Sequence, residues 1–326
     1  MNAIAQLLIH SIQHSVSKLN KGGYLNKILL TLKFIIRKLM LKFRNPLIKH
    51  KVGKYEIFFP LSHNLPIDSI INPIYSTNIA RIASLANEKF QNFTFIDIGA
   101  NVGDTLALLR SVAEFPVLCI EGDEEYYSIL TKNVKHFHEV IAMHALIGER
   151  DQNIYGIMVP NYSGSKQVLL LKNSRNLLKF ENLVSILEKF PDFLKSKMIK
   201  IDTDGYDCKI IRGSLKWLEK VKPIIFFEYA PPYLAEQSDD GISIFSFLNE
   251  IEYKFMLLYA SNGDFMFSST LDNQVFIEEL HSYFSGPKTR MCGDICVFQS
   301  VDDDLFEVCR RNELNYFKNY RQQNGI

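Results

Sequence analysis

A chain of 326 residues, 47% hydrophobic and 12% aromatic, carries enough apolar surface for a large buried core, which excludes the disordered and fibrous classes. Its net charge of +1 hides an asymmetry: no Asp or Glu precedes Glu56, while Lys27, Lys33, Arg37, Lys38, Lys42 and Arg44 crowd one short stretch. A basic leader on an otherwise acidic chain points to an anionic partner, a membrane surface rather than nucleic acid, which is not expected.

Residues 1–55 read as a basic amphipathic helical segment. Gly22-Gly23 separates a weak start from Tyr24–Arg44, which stops at Asn45-Pro46. At about 100° per residue, Leu25, Ile28, Leu29, Leu32, Ile35, Ile36, Leu39, Met40 and Phe43 share one broad face and the cations share the other. Three readings stay open: residues 24–44 lie on anionic lipid, they pack on the domain with their lysines in solvent, or they form a transit peptide, the weakest of the three because the segment is rich in Lys rather than Arg. Leu30, Phe34 and Leu41 intrude on the charged side, which fits burial on more than one side. No apolar run reaches the ~18 residues of a membrane-spanning helix, and the N-terminus lacks a secretory layout. The five cysteines are scattered, and Cys292 with Cys296 makes a poor zinc signal. The expected location is cytoplasmic, with peripheral attachment at the inner face of the membrane through residues 24–44.

From Phe93 the pattern becomes short apolar runs separated by helical stretches. Strands are expected at Phe93–Ile98, Pro116–Ile120, Val140–Ile147, Met198–Ile201, Ile224–Phe227, Phe255–Tyr259 and Asp294–Phe298. Helices are expected over Asp104–Ala113, Glu124–His136, Leu177–Phe190, Cys208–Trp217 and Ile242–Ile251. Residues 148–175 read as polar and turn-rich, and no element is read between Tyr259 and Asp294. Such alternation predicts an α/β fold with a mostly parallel sheet and helices on both faces. One domain over 56–300 and a helical tail over 301–326 complete the organisation.

Three motifs carry chemistry. In Phe95-Ile-Asp-Ile-Gly-Ala-Asn-Val-Gly-Asp-Thr105 an apolar strand runs into a glycine turn and a helix. A dinucleotide G-x-G-x-x-G would need glycines where Asn101 and Asp104 stand. Asp97 and Asp104 would repel a pyrophosphate and suit a cationic or zwitterionic ligand. Next, Val117-Leu-Cys-Ile-Glu-Gly122 ends a neighbouring strand in Glu121, where a carboxylate can accept both hydroxyls of a ribose. Third, Met198-Ile-Lys-Ile-Asp-Thr-Asp-Gly-Tyr-Asp207 crowds Asp202, Asp204 and Asp207 at a strand end. Like charges this close raise at least one pKa, which suits a general base or a metal site, whereas Asp204 or Asp207 could instead cap the following helix. Glu228, in Phe226-Phe-Glu228, ends the next strand in the same layer.

Taken in order, D-I-G-A-N-x-G, I-E-G, K-I-D-T-D-G-Y-D and F-F-E resemble the FkbM family of methyltransferases over roughly Phe93–Gln299. The resemblance implies a Rossmann-like class I methyltransferase fold, with a seven-stranded, mostly parallel sheet whose last strand runs antiparallel. It also implies S-adenosyl-L-methionine as cofactor and O-methylation of a hydroxyl on a sugar, glycan or related small metabolite. By position, Asp97, Gly99, Ala100, Asn101, Gly103 and Glu121 would hold the cofactor, and Asp202, Asp204 and Glu228 would serve catalysis on the acceptor side. Many members read D-x-E-G where this chain reads Asp202-Thr-Asp-Gly205, which puts the acceptor geometry in doubt. No complete metal ligand set is visible, so a divalent cation at Asp202 and Asp204 is an unsupported alternative. The rival readings are a nicotinamide-dependent oxidoreductase and a non-catalytic glycan- or lipid-binding module on the same fold.

Overall fold

The computed structural model describes residues 2–19, 24–161, 164–171, 174–286 and 292–324. Gly22-Gly23, read as the break between two helices, lies outside the described residues. Helices α1 (Asn2–Ser17) and α2 (Tyr24–Phe43) open the chain. A hairpin of β1 (Leu47–Val52) and β2 (Tyr55–Pro60) follows, so the chain is already strand at Leu47, and then come α3 (Leu65–Ile71) and α4 (Asn78–Lys89). The alternation expected from Phe93 appears as β3 (Phe95–Ile98), α5 (Asp104–Arg110), β4 (Val117–Glu121), α6 (Glu124–Asn133) and β5 (Val140–His144).

The stretch read as turn-rich is mostly strand. Here β6 (Leu146–Gly148), β7 (Gln152–Pro160), β8 (Lys166–Leu170) and β9 (Leu177–Asn182) form a separate four-stranded sheet in the order β6-β9-β7-β8. The helix expected over Leu177–Phe190 is reduced to α7 (Leu183–Leu187). The reason lies in the side chains. Ile154, Met158, Val168 and Phe180 join the core, but Tyr155, Leu169, Leu170 and Leu177 stay exposed on the other side. Apolar residues on both faces erase the two-residue period that marks a strand.

The remainder runs β10 (Met198–Ile201), α8 (Asp207–Gly213), α9 (Leu215–Val221), β11 (Ile224–Tyr229), α10 (Pro231–Glu236), α11 (Ser243–Glu250), β12 (Tyr253–Ala260), β13 (Phe265–Thr270), α12 (Gln274–Phe284), β14 (Gly293–Gln299) and α13 (Asp303–Asn324). The main sheet is eight-stranded, in the order β13-β12-β14-β11-β10-β3-β4-β5. From β11 to β5 every neighbouring pair is parallel. Strand β14 enters antiparallel between β11 and β12, the reversed last strand that the family resemblance implies. The extra strand is β13, which folds back on β12 as a hairpin in a region where no element was expected. The arrangement is Rossmann-like α/β, and its fold class stands as predicted, with one strand added at the edge.

Side-chain alternation fixes the two faces of this sheet. Ile96, Ile98, Leu118 and Ile120 point to the side covered by α7, α8 and α11. Phe95, Val117 and Cys119 point to the side covered by α4, α5 and α13. A third cluster gathers α1, the β1–β2 hairpin and Leu65 against Ala107 and Tyr126. The chain leaves β3 toward β4 on one side and meets β10 on the other. The carboxyl ends of β3 and β10 therefore flank the topological switch point, where open α/β sheets hold their ligands.

Candidate functional site

A cleft opens over those strand ends, with about 1530 Å³ of space continuous with solvent. Its first wall is the turn after β3. Gly99 has φ +78° and Gly103 φ +88°, both in the left-handed region. A Cβ on Gly99 would overlap the carbonyl oxygen of Asp202, so this turn needs glycine for backbone reasons and for space. The Gly99 and Ala100 amides both donate to the Ile120 carbonyl, at 2.9 and 3.0 Å, which pins the loop to β4.

Glu121 closes the same wall. One carboxylate oxygen accepts from the Asn101 amide at 2.8 Å, and the other accepts from the Asp123 amide at 2.7 Å. Burial raises its pKa to about 7 against the pull of those two amides. Each oxygen keeps a second lone pair for a ligand hydroxyl. Gly99, Asn101 and Glu121 line the cleft, while Ala100 is buried behind the turn. Asp97 is fully buried beneath it, with Oδ1 3.3 Å from Lys200 Nζ and Oδ2 without a partner.

The opposite wall is acidic. Asp202 is about half exposed, 3.2 Å from Lys200 Nζ. Burial lowers the Lys200 pKa, but Asp202, Asp97 and Asp104 outweigh it and hold the ammonium well above the ordinary lysine value. Asp204 accepts from Asn161 Nδ2 at 2.7 Å and Ser165 Oγ at 2.8 Å. Burial, with Asp202 next, raises its pKa to about 7. Asp207 folds back on its own loop, accepting from the Thr203 and Gly205 amides at 3.2 Å each. Neither Asp204 nor Asp207 thus caps α8; one braces a hairpin and the other the turn before the helix. Glu228 ends β11 with Oε2 buried and unpartnered, and burial followed by Asp202 and Asp204 pushes its pKa well up.

Several cleft residues escaped the sequence reading. Asp294 lies across from Glu228 in the β11–β14 register, and burial raises its pKa to about 8. Tyr75, Asn78 and Lys200 also face the cleft. A lone lysine in the apolar strand Met198–Ile201 was the available signal, because a buried charge demands a partner. Asn78 is fully buried, and both amide atoms lack a protein partner. Overhead, the β7–β8 hairpin spans both walls. Its Ser165 holds Asp204, and its Lys166 reaches Asp123 and Glu125 at 3.0 Å each. Among the described residues no group of three or more His, Cys, Asp or Glu gathers as a metal site.

No protein-family model matches the chain, and no curated protein matches it. Among solved structures it is similar to methyltransferase FkbM from Methylobacillus flagellatus KT, at 14% identity over 72% of this chain and 54% of that one, TM-score 0.38. It thus spans about half the length of that protein, 54%. It is also similar to a precorrin-6y C5,15-methyltransferase from Geobacter metallireducens GS-15, at 13% identity over 68% and 87% of the two chains, TM-score 0.35. A third likeness is to the Pyrococcus abyssi tRNA (uracil-54, C5)-methyltransferase in complex with S-adenosyl-L-homocysteine, at 12% identity over 77% and 44%, TM-score 0.38. The fold class of this chain rests on its own strand order, not on these likenesses.

Proposed function

We propose that the protein is an S-adenosylmethionine-dependent methyltransferase acting on a hydroxyl of a sugar, glycan or related metabolite. The observation that carries this reading is the Glu121 carboxylate, set by the Asn101 and Asp123 amides beside a glycine turn that holds no phosphate-binding pattern. The unpartnered Asn101 Oδ1 and Asn78 amide supply further polar groups for the cofactor within the same cleft. When bound, S-adenosylmethionine supplies a sulfonium methyl group for in-line transfer. The Gly99–Gly103 turn and Glu121 orient the nucleoside, which contributes through proximity rather than new chemistry. On the other wall Asp202, Asp204 and Glu228 accept or share the acceptor proton. A carboxyl near neutrality, such as Asp204, suits that task because it can take a proton and release it again at working pH. Lys200 balances the charge of Asp97 and Asp202, so the wall does not collapse by self-repulsion. The reading places the protein in the cytoplasm, a compartment suited to cysteines that are all free: Cys119, Cys208, Cys292, Cys296 and Cys309.

Calorimetric titration of the full chain with S-adenosylmethionine, S-adenosylhomocysteine and NAD tests the reading. Micromolar binding of the first two and none of NAD is the expected result. Binding of NAD in preference would establish the oxidoreductase, and binding of none of them would leave the non-catalytic module.

A further inference from the structure

The orientation of α2 is the reverse of what a buried amphipathic helix shows. Its charged side is the docked side. Lys33 Nζ donates to the Ser11 carbonyl at 2.9 Å and to Ser15 Oγ at 2.6 Å. Arg37, buried, donates to the carbonyls of Leu61, Ser62 and His63 at 2.7 to 3.1 Å and to Asn64 Oδ1 at 3.0 Å. Leu30 and Arg37 are the buried residues of the helix. The apolar stripe points the other way. Leu25, Ile28, Leu32, Ile35, Leu39 and Phe43 are exposed, from 41% at Ile28 to 84% at Phe43. Single exposed leucines are ordinary on a protein surface, but a continuous stripe along a 20-residue helix is not.

We propose that this stripe is a docking surface for an anionic lipid bilayer, on which α2 lies flat. The charge around the stripe selects the occupant. At about 100° per residue, Lys27, Lys38 and Lys42 fall on one flank of the stripe, and all three are exposed along with Arg44. No acid occurs from Met1 to Tyr55 to offset them. A second copy of this chain, meeting the stripe about a two-fold axis, would bring cationic rim against cationic rim. A bilayer carrying acidic headgroups instead takes the leucines into its acyl boundary and the lysines at its phosphates. No described helix is long and apolar enough to cross a membrane, so the helix rests on the surface. The inference stands apart from methyl transfer, and its test uses neither cofactor nor acceptor.

The test is co-sedimentation of the full chain with vesicles of phosphatidylcholine containing about one-third phosphatidylglycerol, against vesicles of phosphatidylcholine alone. The chain should partition to the anionic vesicles at least tenfold more strongly, and the preference should shrink as salt rises, because exposed charges are screened. The double variant Ile35→Ser, Leu39→Ser should lose roughly tenfold or more of that partition. The pair Lys38→Gln, Lys42→Gln should lose the preference for anionic lipid. All four positions are exposed, so unchanged melting and unchanged oligomeric state are the controls for folding. Binding to neither vesicle, or equal binding to both, overturns the proposal. So does light scattering that finds a dimer in the wild type which Ile35→Ser, Leu39→Ser turns into a monomer.

Discussion

The two walls of the cleft are built on opposite plans. At the ends of β3 and β4, one carboxylate, Glu121, takes its geometry from backbone amides at Asn101 and Asp123. The turn, the strand end and their hydrogen bonds all lie within one short stretch of chain. At the ends of β10 and β11, two carboxylates meet partners far away in sequence: Asp204 is held by Asn161 and Ser165, and Glu228 lies opposite Asp294. The first wall is local in the hydrogen bonds that set Glu121. The second is a long-range crowd of carboxyls, of which Asp204, Glu228 and Asp294 have raised pKa values, as Glu121 does on the first wall. A local wall suits holding a constant ligand, whereas a crowded one suits reacting groups whose protonation must change.

The harshest way to break the comparison is at the point where the walls touch. Gly99→Ala combines a left-handed φ with overlap on the Asp202 carbonyl. It should cost more than ~3 kcal/mol in urea unfolding or abolish soluble expression. A variant as stable as the wild type would show that the two turns can separate freely.

Asp202→Asn and Asp204→Asn separate holding from reacting. Each should lower turnover by about 10²-fold while calorimetry finds cofactor affinity within about threefold, under about 1 kcal/mol. Full turnover in both would leave the acidic wall a purely structural feature. Glu121→Ala asks the converse question. It should weaken S-adenosylmethionine by about 1.5–3 kcal/mol, the range for hydrogen bonds to a charged group. An unchanged dissociation constant in a folded variant would remove Glu121 from the site.

The smallest effect expected is on stability against pH. Burial holds Asp294 up to about 8, and Asp204 and Asp207 to about 7. Their unfolded values lie near 3.8. Between these limits the folded chain keeps protons that the unfolded chain has released, so stability falls as pH rises through 7 to 8. His63 acts in the opposite sense, because burial lowers it to about 4 from 6.5, but only below 6.5. Denaturation free energies should therefore fall from about pH 6.5 to about pH 8.5. Asp294→Asn should flatten the upper part of that fall. A stability that rises over the interval would mean these carboxyls are already ionised in the fold.

The same division decided what could be read without coordinates. Phe95–Gly103 and Val117–Gly122 announced strand, turn and terminal carboxylate because the hydrogen bonds that set the turn on β4 and fix Glu121 are short in sequence. The mostly parallel sheet followed from the alternation of apolar runs, but the order of its strands did not. Asp202, Asp204 and Glu228 were visible as strand-end acids, but their settings were not. Nothing near Asp204 points to Asn161 and Ser165, and the hairpin carrying them was hidden by leucines and Tyr155 on its outer face. Tyr75 enters the cleft from the turn before α4 and Asn78 from its first residue, which no motif marks. Strand β13 escaped because an edge strand half open to solvent keeps neither a clean alternation nor a continuous apolar run. Helix α2 was legible as an amphipathic helix, but which side it docks depends on Ser11, Ser15 and the carbonyls after β2.

The close approach of Gly99 to the Asp202 carbonyl has a consequence for the order in which the molecule is made. Asp97 and its partner Lys200 lie 103 positions apart, so the β3–β10 seam forms only after a long loop closes. Such non-local pairing is slow compared with helix and hairpin formation. On a ribosome, residues through Glu121 emerge long before Met198, so the glycine turn at first lacks the Asp202 carbonyl beside it and Asp97 lacks the lysine that neutralises it. A nascent chain ending before Met198 thus carries the first wall of the cleft without the strand that faces it. Competence for ligand should appear late and all at once, when β10 slots beside β3, and a truncation ending before that strand should bind nothing.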